Sequence, residues 1–213
     1  MTSPFPTPIV IDPDDAEQYL AQMDVSLEHI VAALNSGGTA AANTDSFHPV
    51  NAPGFYFWSE TSATLRRSHS TGPEWSCDNK FGRPRISHSS GKYILVAVGG
   101  NELTASQQDP NVARRKGPGL EAAQYEQLTI GLPLSGSTSV PDLSGPPFGE
   151  WLLLYRADRQ GVRAEVSLPS GVSEGLITGW KVRVILPSIK YDGDISLPTD
   201  FGGDDVDFYI REA

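Results

Sequence analysis

The sequence predicts an α+β fold: a long N-terminal helix packed on a mostly antiparallel β-sheet, with a C-terminal β-meander. Three observations predict it. Apolar residues recur at steps of three and four in the first forty positions. Two stretches of the last third alternate strictly between apolar and polar. The 213-residue chain also holds 21 Gly and 17 Pro, which break it into short elements and argue against a helical bundle.

Residues 1–13 contain four prolines and read as an extended arm. Asp14 or Asp15 can cap the helix that follows. Ala16, Tyr19, Leu20, Met23, Leu27, Ile30, Val31 and Leu34 form one apolar stripe, which ends at Gly37-Gly38. His29 on this helix reads as a partly buried structural residue. "NTDSFHPVNAPG" is a loop, "FYFW" (55–58) a short aromatic strand, and "SETSATLRRSH" a short helix capped by Ser59. "STGPEWSCDNKFGRPRISHSSG" is turn-rich, with Trp75 and Phe81 read as core. "KYILVAVGG" is a buried strand stopped by two glycines.

Residues 109–128, "DPNVARRKGPGLEAAQYEQL", place Arg114, Arg115 and Lys116 before Gly117-Pro118-Gly119 and a short helix. The Ser/Gly/Pro-rich segment 133–149 is a connector. "EWLLLYR" is the next buried strand. In "VRAEVSL", Val162, Ala164, Val166 and Leu168 share one face; Arg163, Glu165 and Ser167 share the other. In "WKVRVIL", Trp180, Val182, Val184 and Leu186 point inward. Short turns between these runs favour an antiparallel meander with one solvated face, where Arg163 and Glu165 pair with Lys181 and Arg183. "VDFYIR" reads as a last strand. The whole of 1–213 reads as one α+β domain, with 133–149 as the seam between lobes 1–132 and 150–213 if it divides.

The single cysteine, Cys77, excludes an intramolecular disulfide and fits a reducing cytoplasm. The N-terminus lacks the basic and apolar regions of a secretory signal, and no apolar run is long enough to span a membrane. Cytoplasmic localisation is therefore expected. Net charge is −10, unevenly spread. Residues 1–61 carry eight acids and no Lys or Arg, residues 62–116 nine bases and four acids, and residues 117–213 seven bases and fourteen acids. The overall field disfavours indiscriminate nucleic-acid binding, while the basic middle can attract a specific anion.

The candidate anion site therefore comprises Arg114, Arg115, Lys116, Gly117 and Gly119, joined by Arg66, Arg67, Lys80, Arg83 and Arg85. Glycines admit an anion to the backbone, a helix N-terminus presents unsatisfied N–H groups, and arginine grips phosphate with two parallel bonds. Pro118 subtracts one donor. The stretch matches neither the Walker A pattern nor the Rossmann fingerprint. His69, Cys77 and His88 match no zinc spacing, and the C-terminal acids Asp192, Asp194, Asp200, Asp204, Asp205 and Asp207 do not follow an EF-hand. No metal or cofactor is expected. Asp78-Asn79-Lys80 fits the D-x-K half of a metal-dependent nuclease, with Glu60 or Glu74 as the second acid.

"VAVGGNELT…DPNVARRKGPGLEAA" and "EWLLLYRADRQGVRAEVSLPSGV…GLITGWKVRVILPSI" resemble uncharacterised bacterial proteins associated with mobile-element or phage-defence neighbourhoods. The resemblance implies a bacterial cytosolic accessory to a DNA-acting or antiviral system, and no catalytic residue. The leading expectation is a non-catalytic binding protein with a phosphate-bearing ligand, nucleotide or nucleic acid, on its basic middle. The alternatives are a metal-dependent nuclease or other phosphoester hydrolase using Asp78 and Lys80, and an acidic module that meets a basic protein partner.

Overall fold

The computed structural model describes residues 7–123, 145–158 and 160–190. The expected strand "VDFYIR", the C-terminal acids and most of the 133–149 connector lie outside them. Strands β1 (Ile9–Ile11), β2 (Trp75–Asp78), β3 (Arg85–His88), β4 (Tyr93–Gly99), β5 (Gly149–Asp158), β6 (Gly161–Ser173) and β7 (Leu176–Ile185) form one sheet in the order β1-β7-β6-β5-β4-β3-β2. The class is α+β and the sheet is mixed. β1 pairs with β7, and β4 with β5, in parallel; the other neighbours are antiparallel. Strands from both sides of the connector thus share one sheet. Parallel neighbours need a long crossover, and residues 100–148 supply it for β4 and β5.

The long N-terminal helix is two helices, α1 (Ala16–Ala21) and α2 (Leu27–Ala42). Asp24 takes a left-handed φ of 57° and Val25 N–H donates to Leu20 O, which closes α1. Ser26 then starts α2 by accepting from His29 N–H at 3.3 Å. Asp15 occupies the N-cap position of α1 but its side chain makes no capping bond. The apolar stripe crosses this break without losing phase, so periodicity alone concealed it.

Gly37 and Gly38 do not end α2. They are buried where it crosses α3 (Ala52–His69). A Cβ on Gly37 would lie 2.2 Å from Thr61 Oγ1 and 2.7 Å from Phe57 O. The "FYFW" run is helical, not extended, and α3 begins at Ala52 rather than after Ser59. Pro53 sits in its first turn, where a missing N–H costs nothing. A four-residue aromatic run fits either period, and Pro53 was the discriminating signal. Phe57 stacks on Tyr155 with centroids 4.8 Å apart, pinning α3 to β5.

The helices cover one face of the sheet over a core that includes Leu20, Ile30, Phe57, Leu95, Trp151, Leu153, Val166 and Val184. On the other face Val96, Val98, Leu152, Leu154, Ile177 and Trp180 pack with Val112 and Leu120 of the crossover. The pairing of β6 with β7 slips between Leu168 and Pro169, so Trp180 lands on this second face, not beside Val182 and Val184 as alternation suggested.

The second face is not solvated as expected. Glu165 and Arg183 do pair, but at 0% and 1% exposure. Arg183 Nε and Nη2 donate to Glu165 Oε1 and Oε2 at 3.1 and 2.6 Å. Arg183 also donates to Ser106 O and Gln108 O, while Glu165 Oε2 accepts from Ala105 N–H. Arg163 likewise donates to Glu102 O and Thr104 O. These bonds tie segment 101–109 to the sheet.

Replacing Gly37 tests the helix crossing. Its nearest neighbours include backbone, so Gly37→Ala forces α2 and α3 apart at a cost of about 1–3 kcal/mol. The expected readout is a lower urea midpoint with an unchanged m-value.

Candidate functional site

Two segments meet on the second face near the β2 edge. The first is the turn between β2 and β3, residues 79–84. Asp78 Oδ1 accepts from Lys80 N–H at 2.8 Å, and Gly82 N–H and Arg83 N–H donate to Asn79 O and Lys80 O. The turn carries Phe81 at φ 59°, the left-handed region that a bulky side chain seldom adopts. The second is the crossover. Asn111 Nδ2 donates to Ile177 O, Asn111 Oδ1 accepts from Ile177 N–H, and Trp180 Nε1 donates to Pro110 O. Lys116 N–H then donates to Gly175 O in the β6–β7 turn. Residues 118–123 are helical, and Gly119 packs directly on the first turn. A Cβ on Gly119 would lie 2.8 Å from Phe81 O and 3.4 Å from Arg83 Cδ.

The structure therefore brings Lys80, Arg83, Arg85 and Gly119 together. Gly117 and Lys116 follow within three residues, a chain distance of at most about 11 Å. Arg114 and Arg115 are exposed beside them, and Arg115 Nη1 lies 3.0 Å from Glu174 Oε2. Arg66 and Arg67 are separate: they belong to the last turn of α3, on the helical side of the sheet. The ten predicted residues do not form one surface.

Two of the clustered arginines are inward-facing and neutralised. Arg85 is buried, and its Nε and Nη2 donate to Asp78 Oδ1 and Oδ2 at 2.7 and 3.1 Å. Arg83 Nη1 donates to the buried Glu150, whose Oε2 is 3.8 Å from Arg85 Nη1. Ser87 Oγ donates to Asp78 Oδ2 at 2.6 Å. Burial alone would raise the Asp78 pKa, but Arg85, Ser87 and the Lys80 N–H outweigh it and lower the carboxyl to about 2. The same four bonds occupy its acceptor positions, which leaves little for a metal ion. Among the described residues no group of three His, Cys, Asp or Glu side chains can hold a metal.

Trp75 is core as expected, with Nε1 donating to Asp24 O. Phe81 is not. The residue is 40% exposed, with Lys80 Nζ 5.2 Å and Arg85 Cζ 5.9 Å from the ring centroid. Aromatic content suggested core burial; the signal for exposure was its place between Asn79 and Gly82, both turn formers.

The histidines are structural here. His29 and His69 meet edge to face, and His69 Nδ1 donates to Leu65 O. Burial depresses the His69 pKa, against that hydrogen bond and aided by His29. His88 contacts Asp24 and Ser90. Cys77 is exposed and touches Ser70 Oγ.

A second exposed feature, unforeseen from sequence, is the α2–α3 turn. Phe47 is 94% exposed and Val50 fully so. Phe47 N–H donates to Asp45 Oδ1, and His48 Nδ1 lies 2.7 Å from the same atom, so the turn is braced internally.

The depressed Asp78 pKa has a consequence for stability. The folded value lies below the usual 3.8, so its contribution is present above that value and lost as pH falls toward about 2. Acid titration of unfolding should show this loss, and Asp78→Asn should start less stable at neutral pH and lose less over that interval.

No helix among the described residues is long and apolar enough to cross a membrane. Comparison of the chain with protein-family models, curated proteins and solved structures finds no match.

Proposed function

We propose that this chain is a non-catalytic binding protein that takes a phosphate-bearing ligand where the 79–84 turn meets residues 114–119. One observation carries the reading: Gly119 seats the cation-bearing crossover against Phe81, a partly exposed ring flanked by Lys80. Cations beside an accessible aromatic suit a nucleotide or nucleic acid. Arg83 and Arg85 support this surface from within, since their charges are matched by Glu150 and Asp78. A bacterial DNA-acting or antiviral setting rests on the sequence resemblance alone. Nuclease chemistry is the weaker reading because Asp78 is already saturated by Arg85, Ser87 and Lys80 N–H.

A thermal-shift panel of nucleotides, oligonucleotides and inorganic phosphate tests the reading, since a ligand of the folded state raises its stability. The expected result is a shift that shrinks with salt and disappears when Arg114, Arg115 and Lys116 are all replaced by Ala. No shift with any of these compounds rejects the proposal.

The α2–α3 turn favours a second reading, a protein-interaction module. Phe47 and Val50 project from a braced turn, in a region whose first 61 residues carry no Lys or Arg. Aromatic and aliphatic side chains held in place before binding act as anchors, and the acidic surroundings suit a basic-rimmed pocket. Affinity purification with the Phe47→Ser/Val50→Ser double variant should lose a partner that the wild type and the Arg114/Arg115/Lys116 triple variant both retain. Equal recovery with the double variant rejects this reading. Folding stability should stay within about 0.5 kcal/mol, because both side chains are already exposed.

A further inference from the structure

We infer that the ligand at this site is single-stranded nucleic acid, with Phe81 as the platform for an unpaired base and Lys80 and the 114–116 segment meeting the backbone phosphates. The inference rests on the phosphate-bearing reading above and narrows it.

The argument begins with the conformation of Phe81. A non-glycine residue in the left-handed region persists only where its surroundings over-determine it, and such residues collect at functional sites. Here the surroundings are explicit. Lys80 N–H, Gly82 N–H and Arg83 N–H are all hydrogen-bonded within the turn, and Phe81 O is pressed by Gly119. The conformation carries the ring outward instead of into the core, and leaves the residue 40% exposed. Inorganic phosphate has no use for such a ring. A duplex keeps its base faces stacked internally and must be unstacked before an aromatic can reach one, so an exposed ring engages an unpaired base at lower cost.

The position of the cations separates a strand from a single nucleotide. Lys80 sits over the Phe81 ring, whereas Lys116 is three residues from the Gly119 contact and is anchored by its own N–H to Gly175 O. Arg115 lies one residue further along, 3.0 Å from Glu174 in the β6–β7 turn. Charge strung out from one aromatic follows a sugar–phosphate backbone. A mononucleotide would find its phosphates close to the ring at Lys80, since Arg85, the other cation beside it, is buried and paired with Asp78.

Fluorescence anisotropy decides the matter with three probes: a labelled oligothymidylate, a labelled duplex of equal length, and ATP as unlabelled competitor. The oligothymidylate should bind more tightly than the duplex, with an affinity that falls with salt. Phe81→Ala should weaken it by about tenfold and leave the salt slope unchanged. Lys116→Ala should reduce the salt slope. Phe81→Gly removes the ring and relieves the left-handed backbone, so it should melt no lower than the wild type and still bind about tenfold more weakly. Equal affinity for strand and duplex, with no effect of Phe81→Gly, overturns the single-strand assignment but leaves a phosphate ligand standing. Displacement of the strand by ATP at its own comparable affinity overturns it in favour of a mononucleotide. Absence of binding by all three probes overturns both readings.

Discussion

The buried ion pair between Arg183 and Glu165 is the constraint on which the second face of the sheet depends. Both side chains are fully enclosed, yet their contacts reach beyond each other: Arg183 takes Ser106 O and Gln108 O, and Glu165 takes Ala105 N–H. Segment 101–109 of the crossover lies outside any helix or strand, and its backbone groups need partners once buried. The pair provides them. Removing one member of such a pair typically costs about 3–5 kcal/mol, because the remaining charge stays buried and uncompensated. Its role here is to specify one path for the crossover, which then delivers Asn111 to Ile177, Lys116 to Gly175 and Gly119 to Phe81. The geometry of the candidate site is thus set by residues far from it in sequence, on β6 and β7.

That dependence explains what the sequence could and could not reveal. Strands β6 and β7 were legible because a buried face imposes period two on Val162 to Leu168 and on Val182 to Leu186, and β4 and β5 because they are short apolar runs buried on both faces. The opposite face was misread for a physical reason. A polar residue every second position looks the same whether it meets water or the backbone of a covering loop. Arg163, Glu165 and Arg183 belong to the second case. The break between α1 and α2 was hidden by an apolar stripe that stays in phase across Asp24, and the pattern of a helix says nothing of one left-handed residue. Gly37 and Gly38 were read as a stop because glycine is poor in helices, but close helix packing reverses that preference.

The charge count of the middle segment was a partial guide to the site. It placed the cations correctly in sequence but not in function. A tally counts Arg83 and Arg85 as surface cations, yet Glu150 and Asp78 absorb their charges. Glu150 lies outside the basic window altogether, brought in by the parallel pairing of β4 with β5, which sets it opposite Ile94. No local reading of residues 62–116 contains that partner. Arg66 and Arg67 were lost to the site for the complementary reason: the sequence places them on a helix but does not show which side of the sheet that helix covers.

The energetics of Phe81 sharpen the functional argument. A left-handed non-glycine residue costs about 1–2 kcal/mol. A cation–π contact at an exposed position returns about 0.5–1 kcal/mol, which applies to Lys80; Arg85 also approaches the ring but is buried and paired with Asp78. That return does not exceed the backbone cost, and an incompletely buried ring adds less than a core phenylalanine would. The adjacent Gly82 shows that the turn can use glycine where φ is positive. Packing and turn chemistry therefore give little net reason for a phenylalanine at position 81. The structure holds it there through the Asp78–Arg85 pair beneath and the Gly119 contact beside it, both of which fix where the ring projects. On the single-strand proposal, a side chain that contributes so little to stability, yet is so firmly positioned, would act through what its ring contacts outside the chain.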